Sequence, residues 1–292
     1  RVPFRSTVRL KPEKVASILA ALAGEAAVTI SAPCGGHGRC GKCLIRVLEP
    51  TPGPSPSEAD HRFISPKDLA AGYRLACTCD ATEVSKIEIP GEYREATVKG
   101  ELPRFDSPAA PLRRAVSAGP VAAAVDIGTT TVALFLIDTD TGEPIDVLSQ
   151  MNRQSVYGAD VLSRIAHAES GGLPALSRAI RAQIQEMLAE LAEGNGASLR
   201  DVGFLTVAGN TTMLHLLVAE DPSGIGRAPF TPAFIESREY TPEELSLPLA
   251  SKGTVLLIPS VSAYVGADVV SASVAIDMDR DSRTTLLIDI GT

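Results

Sequence analysis

The chain has 292 residues, and 45% of them are hydrophobic, which is enough apolar material for at least one sizeable core. The formal net charge of −8, without a basic stretch that interleaves aromatic residues, argues against nucleic acid as a partner. No apolar run reaches the roughly 18 residues that a membrane-spanning helix requires, and no secretion signal opens the sequence. We therefore expect a cytoplasmic protein without a membrane partner.

The N-terminal third contains a few short elements and is followed by an irregular stretch. Sequence patterns predict, in chain order, a helix over 12–23, a strand over 27–30, a loop over 51–60 and a short helix over 65–71. From 91 to 120 the sequence carries prolines and little periodicity, which is typical of a connector. We predict a first domain over 1–94, a linker over 95–120 and a second domain over 121–292.

Beyond residue 120, predicted strands alternate with predicted helices, and this alternation indicates an α/β domain. The strands are expected at 121–126, 130–137, 144–149, 203–208, 254–258 and 285–289. The helices are expected at 159–169, 174–193, 211–219 and 266–276. In the helix over 174–193 the apolar side chains fall on one stripe, so we expect this stripe to face the core.

All five cysteines lie in the first third of the chain, and four of them have the spacing C-x5-C-x2-C followed by a distant fourth cysteine. Glycines at 35, 36, 38 and 41 let the backbone fold closely around the sulfurs, with N–H groups free to donate to them. The loop resembles that of [2Fe–2S] ferredoxin-type domains, although its first gap is one residue longer than the plant pattern. The resemblance implies that the cluster ligands are Cys34, Cys40, Cys43 and Cys77.

Other interpretations of the cysteines stay open at this point. Cys40, Cys43, Cys77 and Cys79 could form a tetrahedral zinc site, which would leave Cys34 and the glycines without a role. The cysteines could also be unligated, but four thiols in this spacing rarely arise by chance. We interpret Cys79 as a spare thiol and His37 as a solvent-facing loop residue, because a Rieske site needs two histidines.

A second signal is the sequence Asp-Ile-Gly-Thr, which occurs at Asp126–Thr129 and again at Asp289–Thr292. Where a strand ends in this way and turns into another strand, backbone N–H groups and threonine hydroxyls can face phosphates, and the aspartate can hold Mg²⁺ through water. One copy alone could be an ordinary turn. Two copies at strand ends suggest a duplicated, two-lobed fold that grips a nucleotide.

Several other polar residues have both a structural and a functional interpretation. Asp160 could orient a catalytic water or favour the start of a helix, and Asn210 could contact a ligand or cap a helix. Asp268 lies at a predicted helix start, where it could face the nucleotide cleft. His167 and His215 are expected to be packing or surface residues.

Residues 121–292 resemble the superfamily of actin, sugar kinases and Hsp70 (ASKHA), whose two phosphate loops are similar to Asp126–Thr131 and Asp289–Thr292. In combination with the cysteine loop, four further segments resemble the reductive activators of corrinoid proteins, which are ferredoxin-fused ATPases. These segments are "NRQSVYGADVLSRIAHA", "AGNTTMLHLL", "APFTPAF" and "IPSVSAYVGADVV". The resemblance implies an α/β protein: an N-terminal α+β ferredoxin-like (β-grasp) domain followed by a partial, ribonuclease H-like ASKHA domain.

The resemblance also implies an activity. It implies an ATP-dependent reductive activase that passes one electron through the [2Fe–2S] cluster to the cobalt of a partner protein, taking Co(II) to Co(I) for methyl transfer. The partner would be a corrinoid iron–sulfur protein or a corrinoid-binding methyltransferase protein, supplied by an electron donor; a second copy of the chain is a further candidate partner. The implied cofactors are the cluster, ATP and Mg²⁺.

By the same resemblance, the catalytic residues would be Asp126 and Asp268, and the nucleotide-binding residues would be Asp126, Gly128, Thr129, Thr130, Thr131, Asp289, Gly291 and Thr292. The second phosphate loop stops at Thr292, where related proteins continue, so we expect a fragment or truncated form that does not bind ATP tightly. Two alternatives remain. One is a [2Fe–2S] electron carrier or redox sensor with a non-catalytic ASKHA docking domain, and the other is a zinc-stapled scaffold.

Overall fold

The computed structural model describes residues 6–10, 17–22, 30, 32, 34–90, 119–278, 280 and 284–289. The chain divides into two compact units. The small unit comprises Arg1–Glu95 with Arg153–His167, and the large unit comprises Ala96–Asn152 with Ala168–Thr292. The small unit therefore includes a segment from the middle of the sequence, which a division at a single boundary does not include. None of the described helices is both long and apolar enough to cross a membrane.

The small unit is built on a four-stranded antiparallel sheet. Its strands are β1 (Ser6–Arg9), β2 (Leu44–Glu49), β3 (Tyr73–Leu75) and β4 (Lys86–Ile89), in the order β1-β4-β2-β3. Three short helices accompany them: α1 (Ile18–Leu22), α2 (Glu58–Phe63) and α3 (Pro66–Ala70). Strand β2 alternates buried and half-exposed residues, as expected of a sheet with one face on a core.

Local capping explains where the short helices begin. Ser57 and Asp60 form a reciprocal capping box at the start of α2, which places this helix start inside the predicted loop over 51–60. Ser65 caps α3 and Pro66 occupies its first turn, so the helix predicted over 65–71 is confirmed. The core of the unit consists of fully buried aliphatic side chains such as Ile18, Ile45 and Ile87.

The large unit is built on a six-stranded mixed sheet. Its strands are β5 (Val121–Ile127), β6 (Thr131–Asp138), β7 (Pro144–Met151), β8 (Val202–Gly209), β9 (Arg238–Tyr240) and β10 (Thr254–Leu257). The order is β7-β6-β5-β8-β10-β9. The pairs β5–β8 and β8–β10 are parallel, and the other pairs are antiparallel. The carboxyl ends of the three parallel strands therefore meet at one edge of the sheet, where ligands of α/β proteins bind.

Among the described residues of the second half of the sequence there are five α-helices. They are α4 (Val161–His167), which lies in the small unit, and α5 (Leu173–Gly194), α6 (Thr211–Val218), α7 (Ser223–Gly226) and α8 (Ala267–Ala275) in the large unit. The apolar stripe of α5 is buried, as its spacing predicts. Between α4 and α5 the helix is interrupted where Gly171 has φ of 89°.

Four predicted elements differ from the structure or extend beyond its described residues. The prediction of a strand over 285–289 was wrong, because residues 284–289 form no strand. Leu286 and Ile288 in this segment are 81% and 69% exposed. A strand needs a neighbour for its backbone hydrogen bonds, and no described strand pairs with this segment. The helix over 12–23 is observed at Ile18–Leu22, and its other residues, apart from Ser17, lie outside the described residues. Residues 27–29 of the strand predicted over 27–30 also lie outside them, and so do residues 91–118 of the connector predicted over 91–120.

Candidate cluster and phosphate sites

The cysteine loop of the small unit has a backbone that only glycine adopts readily. Gly35, Gly36, Gly38 and Gly41 have φ of 63°, 84°, 65° and 67°. These left-handed conformations turn the chain back on itself between Cys34 and Cys43. A Cβ atom at Gly41 would lie 2.8 Å from the ring of Phe63, so space as well as conformation requires glycine there.

The four sulfurs predicted as ligands form two adjacent pairs. The Sγ atoms of Cys34 and Cys40 are 3.3 Å apart, and the Cys43 thiol donates a hydrogen bond to Cys77. The bond from Cys43 is the main cause that lowers the pKa of Cys77, and the backbone N–H of Gly38 adds to it. Burial acts to raise the pKa of Cys34, but backbone N–H donors and the Cys40 thiol outweigh it and lower this pKa. The loop thus favours the thiolate, the form that binds iron, at Cys34 and Cys77, one in each pair. Burial raises the pKa of Cys40, and the bond to Cys77, followed by burial, raises that of Cys43.

Cys79 belongs to neither sulfur pair. Its side chain is 4% exposed and belongs to the hydrophobic core of the small unit. Burial, followed by the negative charge of Asp60, raises the pKa of its thiol to about 12, so this thiol stays protonated. Among the described residues, no three cysteine, histidine or acidic side chains converge on a position for a single metal ion. Two sulfur pairs without Cys79 fit a two-iron cluster better than a zinc site that includes Cys79.

Hydrogen bonds of Asp60 connect the cysteine loop to the rest of the small unit. The sequence analysis did not identify this residue. The Asp60 carboxylate is 1% exposed and accepts hydrogen bonds from the Leu75 N–H at 2.7 Å and from Ser57. The next residue, Ala76, donates its N–H to the Cys43 carbonyl at 2.8 Å. Asp60 therefore holds the chain just before Cys77. The spacing Ser57-x-x-Asp60 was the available signal, since it is a capping box.

The segment Arg153–His167 packs against the same loop within the small unit. Val156 is 4% exposed and is part of the hydrophobic core. The carbonyl oxygen of Tyr157 would lie 2.5 Å from a Cβ atom at Gly35, the residue after Cys34. The Tyr157 ring stacks on His167 with centroids 5.0 Å apart. His37 is exposed, as predicted.

In the large unit, the first Asp-Ile-Gly-Thr sequence forms the tight turn between β5 and β6. The Gly128 N–H donates to the Thr131 carbonyl at 2.9 Å, and a Cβ atom at Gly128 would lie 2.7 Å from the same oxygen. Thr129 is 6% exposed, whereas Thr130 and Thr131 are exposed. The turn therefore presents two accessible threonines beside the end of β5, as a phosphate loop requires.

Asp126 is the titrating group that its surroundings perturb at this edge. Burial, followed by the negative charges of Asp268 and Asp289, raises the pKa of Asp126. Solvent nevertheless reaches the side chains of Asp126 and Asp289. In the described part of the chain, no three cysteine, histidine or acidic side chains converge on one ion position. Gly291 and Thr292 lie outside the described residues.

Two asparagines support the turn. Asn210 caps α6 by accepting the Met213 N–H at 3.1 Å, and its amide nitrogen donates to the Thr129 hydroxyl at 3.0 Å. Asn152, which is fully buried, donates from its amide to the Gly128 carbonyl at 2.8 Å. Gly266, before α8, lies so close that its Cβ atom would be 2.5 Å from the Asn210 Cα atom. The turn, the start of α6 and the start of α8 therefore converge.

The remaining candidates have structural roles. The Asp160 carboxylate accepts the Ser163 N–H at 2.8 Å at the start of α4, which favours the structural interpretation. His215 is fully buried: its Nδ1 lies 2.7 Å from the Thr211 carbonyl, and its Nε2 accepts the Ala233 N–H at 3.1 Å. Its ring also stacks on Phe234. The packing role expected for His215 is therefore what the structure shows.

Comparison with known proteins agrees with this geometry. The family model described as "RACo middle region" matches residues 121–281, which is more than half of the chain. The chain belongs to the RACo family. The model described as "2Fe-2S iron-sulfur cluster binding domain" matches residues 4–82, so the small unit of this RACo-family chain carries a [2Fe–2S] cluster-binding domain. The suspected family is thereby confirmed.

Similar proteins cover different shares of the chain. The "Corrinoid activation enzyme RamQ" of Eubacterium limosum is 33% identical over 171 residues, which is 58% of this chain and 28% of RamQ. A component of the Na(+)-translocating NADH-quinone reductase of Histophilus somni is 39% identical over 75 residues, 26% of this chain and 18% of that protein. This RACo-family chain thus spans less than a third of the length of either relative.

A solved structure extends the comparison to the fold. The "Reductive activator for corrinoid,iron-sulfur protein" has a TM-score of 0.55 and 24% identity, covering 94% of this chain and 58% of that one. At this identity the match shows the fold alone. It confirms the predicted fold class for this RACo-family chain, with a ferredoxin-like domain followed by an ASKHA-like α/β domain.

Proposed function

We propose that the chain takes part in the ATP-driven reductive activation of a corrinoid protein. The observation that carries this proposal is that one chain of the RACo family combines a cysteine loop with paired sulfurs and a strand–turn–strand loop of the ASKHA type. RamQ, which is similar to more than half of the chain, is a corrinoid activation enzyme. In this proposal, one electron reaches the cobalt of the partner and takes Co(II) to Co(I).

The small unit would hold the cluster through Cys34, Cys40, Cys43 and Cys77. When bound, the [2Fe–2S] cluster supplies a one-electron carrier. The residues of the chain hold the four sulfurs in two pairs, aim backbone N–H groups at Cys34 and Cys77, and bury Cys43 to 1% exposure. Donors to the sulfurs stabilise negative charge, and solvent exposure also tunes the reduction potential.

The large unit would bind the phosphates of ATP at the turn between β5 and β6. In this proposal, the exposed Thr130 and Thr131 donate hydroxyl hydrogen bonds to the phosphates, together with Thr129 and the N–H groups of the turn. Asp126 and Asp268 would hold hydrated Mg²⁺ and so act as the catalytic pair. Asp289, Gly291 and Thr292 would belong to the second phosphate loop.

In this proposal, ATP supplies the free energy that an uphill transfer of the electron to the partner's cobalt would cost. Plant-type clusters have reduction potentials near ~−400 mV, and each ~100 mV uphill costs about 2.3 kcal/mol per electron. A nucleotide that binds two conformations with different affinity can offset such a gap. The partners would be a corrinoid iron–sulfur protein or a corrinoid-binding methyltransferase protein and a separate electron donor. A homodimer and a cytoplasmic location remain predictions.

A second candidate function is that of a [2Fe–2S] electron carrier or redox sensor whose ASKHA region is a non-catalytic docking domain. The observation that favours it is that the NADH-quinone reductase proteins are similar to only 75 residues, 26% of this chain. In this alternative, reduction of the partner would not depend on the phosphate loop. The two candidates therefore differ in the effect of changing Asp126.

The test replaces Asp126 with alanine in the longest gene product that contains this sequence, reconstituted anaerobically. We expect Asp126→Ala to abolish ATP-dependent reduction of the corrinoid partner and to leave the visible spectrum of the cluster unchanged, because Asp126 supplies none of the four sulfurs. Asp140→Ala is the matched control, since Asp140 is an exposed aspartate at the opposite end of the same hairpin. Unchanged reduction by Asp126→Ala would favour the electron carrier.

A further inference from the structure

Asn152 occupies the first residue after β7 and joins both sides of the phosphate turn. Its side-chain amide donates to the Gly128 carbonyl at 2.8 Å, and its backbone N–H donates to the Thr130 carbonyl at 2.8 Å. The side chain is 0% exposed. A buried amide that loses such partners is costly, so the position of Asn152 and the shape of the turn depend on each other.

The five residues after Asn152 are held in the small unit. Arg153–Val156 form a turn of 3-10 helix, and the Tyr157 N–H donates to the Gln154 carbonyl at 2.9 Å. Val156 lies in the core of that unit, and the Tyr157 carbonyl occupies the space beside Gly35. The cysteine loop is therefore in contact with the end of the same short stretch of chain that begins at Asn152.

The stretch is supported by a second buried residue. Arg164 is 0% exposed, and its guanidinium donates to the Gly158 carbonyl at 2.9 Å and to the Gln154 side chain at 3.4 Å. Gln154 is itself 0% exposed. A packed, hydrogen-bonded segment of this kind transmits a displacement rather than absorbing it, because close-packed interiors are stiff.

We propose that Asn152 is a positioning residue through which the phosphate turn and the cysteine loop bias each other's conformation, with residues 153–157 as the connecting segment. The proposal rests on the proposed function only in taking the two loops as nucleotide and cluster sites. Coupling between two sites is reciprocal. Cluster uptake must then alter the phosphate turn even when no nucleotide is present.

Hydrogen exchange on this chain, read by mass spectrometry with and without anaerobically reconstituted cluster, tests the proposal directly. In the wild type, we expect the cluster to slow amide exchange in 126–131 and 150–158 by about fivefold or more, the lower end of usual allosteric coupling. In Asn152→Ala, the effect on 153–158 should remain and the effect on 126–131 should disappear. Asn195→Ala is the control, because it also removes an asparagine amide. The Asn195 amide donates to Asp146 and to the Leu191 carbonyl, which are outside the phosphate turn.

If Asn152→Ala does not fold, a pair of glycine variants replaces it. Gly35 and Gly38 have nearly equal φ of 63° and 65°, but only a Cβ atom at Gly35 meets Tyr157. In cluster-loaded fractions, Gly35→Ala should speed exchange in 126–131, and Gly38→Ala should not. The proposal is overturned if the exchange rate of 126–131 in the wild type is the same with and without the cluster. It is also overturned if both glycine variants change that rate equally. Because no corrinoid or ATP is used, such a failure is distinct from failure of the proposed function.

Discussion

The amide nitrogen of Asn210 lies 3.0 Å from the hydroxyl of Thr129, while the amide oxygen of the same side chain caps helix α6. One residue therefore stabilises a helix start and fixes the middle of the phosphate turn. The structure confirms the capping interpretation of Asn210, and contact of this residue with a ligand stays a prediction. Two substitutions can separate the capping of α6 from the bond to Thr129.

Asn210→Ala should lower the free energy of unfolding by about 1 kcal/mol, since alanine cannot cap the helix. Asn210→Ser keeps a capping oxygen but is too short to reach Thr129. We expect the serine variant to unfold at nearly the wild-type denaturant concentration and yet to bind Mg-ATP more weakly in the longest gene product, as calorimetry would measure. A serine variant as unstable as the alanine variant would contradict the separation of the two roles.

The cysteines provide a second prediction. Changing Cys34, Cys40, Cys43 or Cys77 singly to serine should remove the cluster, measured as iron and acid-labile sulfide per chain, because each supplies one of the four thiolates. Cys79→Ser is the matched control and should keep the cluster, since the Cys79 thiol is buried in the core and takes part in neither sulfur pair. A chain that holds zinc without labile sulfide, or loses its cluster through Cys79→Ser alone, would refute the ligand set.

Val156 offers a test of the composition of the small unit. Val156 is 4% exposed in the core of this unit, so Val156→Ala removes two buried methyl groups and should cost about 2 kcal/mol. The cost should appear as earlier thermal loss of the cluster absorbance. Val274→Ala, at a valine that is 66% exposed on α8, should have almost no effect. Equal behaviour of the two variants would mean that the segment Arg153–His167 does not support the cluster-binding unit.

His215 predicts how stability depends on pH. Burial lowers the pKa of His215 below its usual value, although the bond to the Thr211 carbonyl partly opposes this shift. The unfolded chain binds the proton near pH 6.5, and the folded chain binds it only at lower pH. The contribution of His215 to stability is therefore complete above about pH 6.5 and is lost as the pH falls below that value towards the folded pKa.

Denaturant unfolding between about pH 5 and 7.5 measures this dependence. His215→Gln should flatten the acid slope of the unfolding free energy, because glutamine does not titrate. His61→Gln, which changes an exposed histidine of α2, should keep the wild-type slope. A His215→Gln slope that matches the wild type would show that other groups cause the acid loss.

The sequence alone determined the features that depend on neighbours along the chain. Cysteine spacing with intervening glycines indicated the cluster loop, because left-handed turns and thiol order are local properties. Alternating strands and helices indicated the α/β unit, and the apolar stripe of the long helix correctly indicated its buried face. The turn at Asp126–Thr129 followed from strand ends and glycine, which are also local.

Only the tertiary structure decided the features that depend on residues far apart. The assignment of Arg153–His167 to the small unit, the Asn152 bond to Gly128 and the Asp60 bond to Leu75 join positions that no periodicity relates. The failed strand over 285–289 has the same cause. Its residues have the apolar character of a strand, but a strand forms only where a neighbouring strand pairs with its backbone hydrogen-bonding groups. The sequence of the segment does not say whether such a neighbour is present.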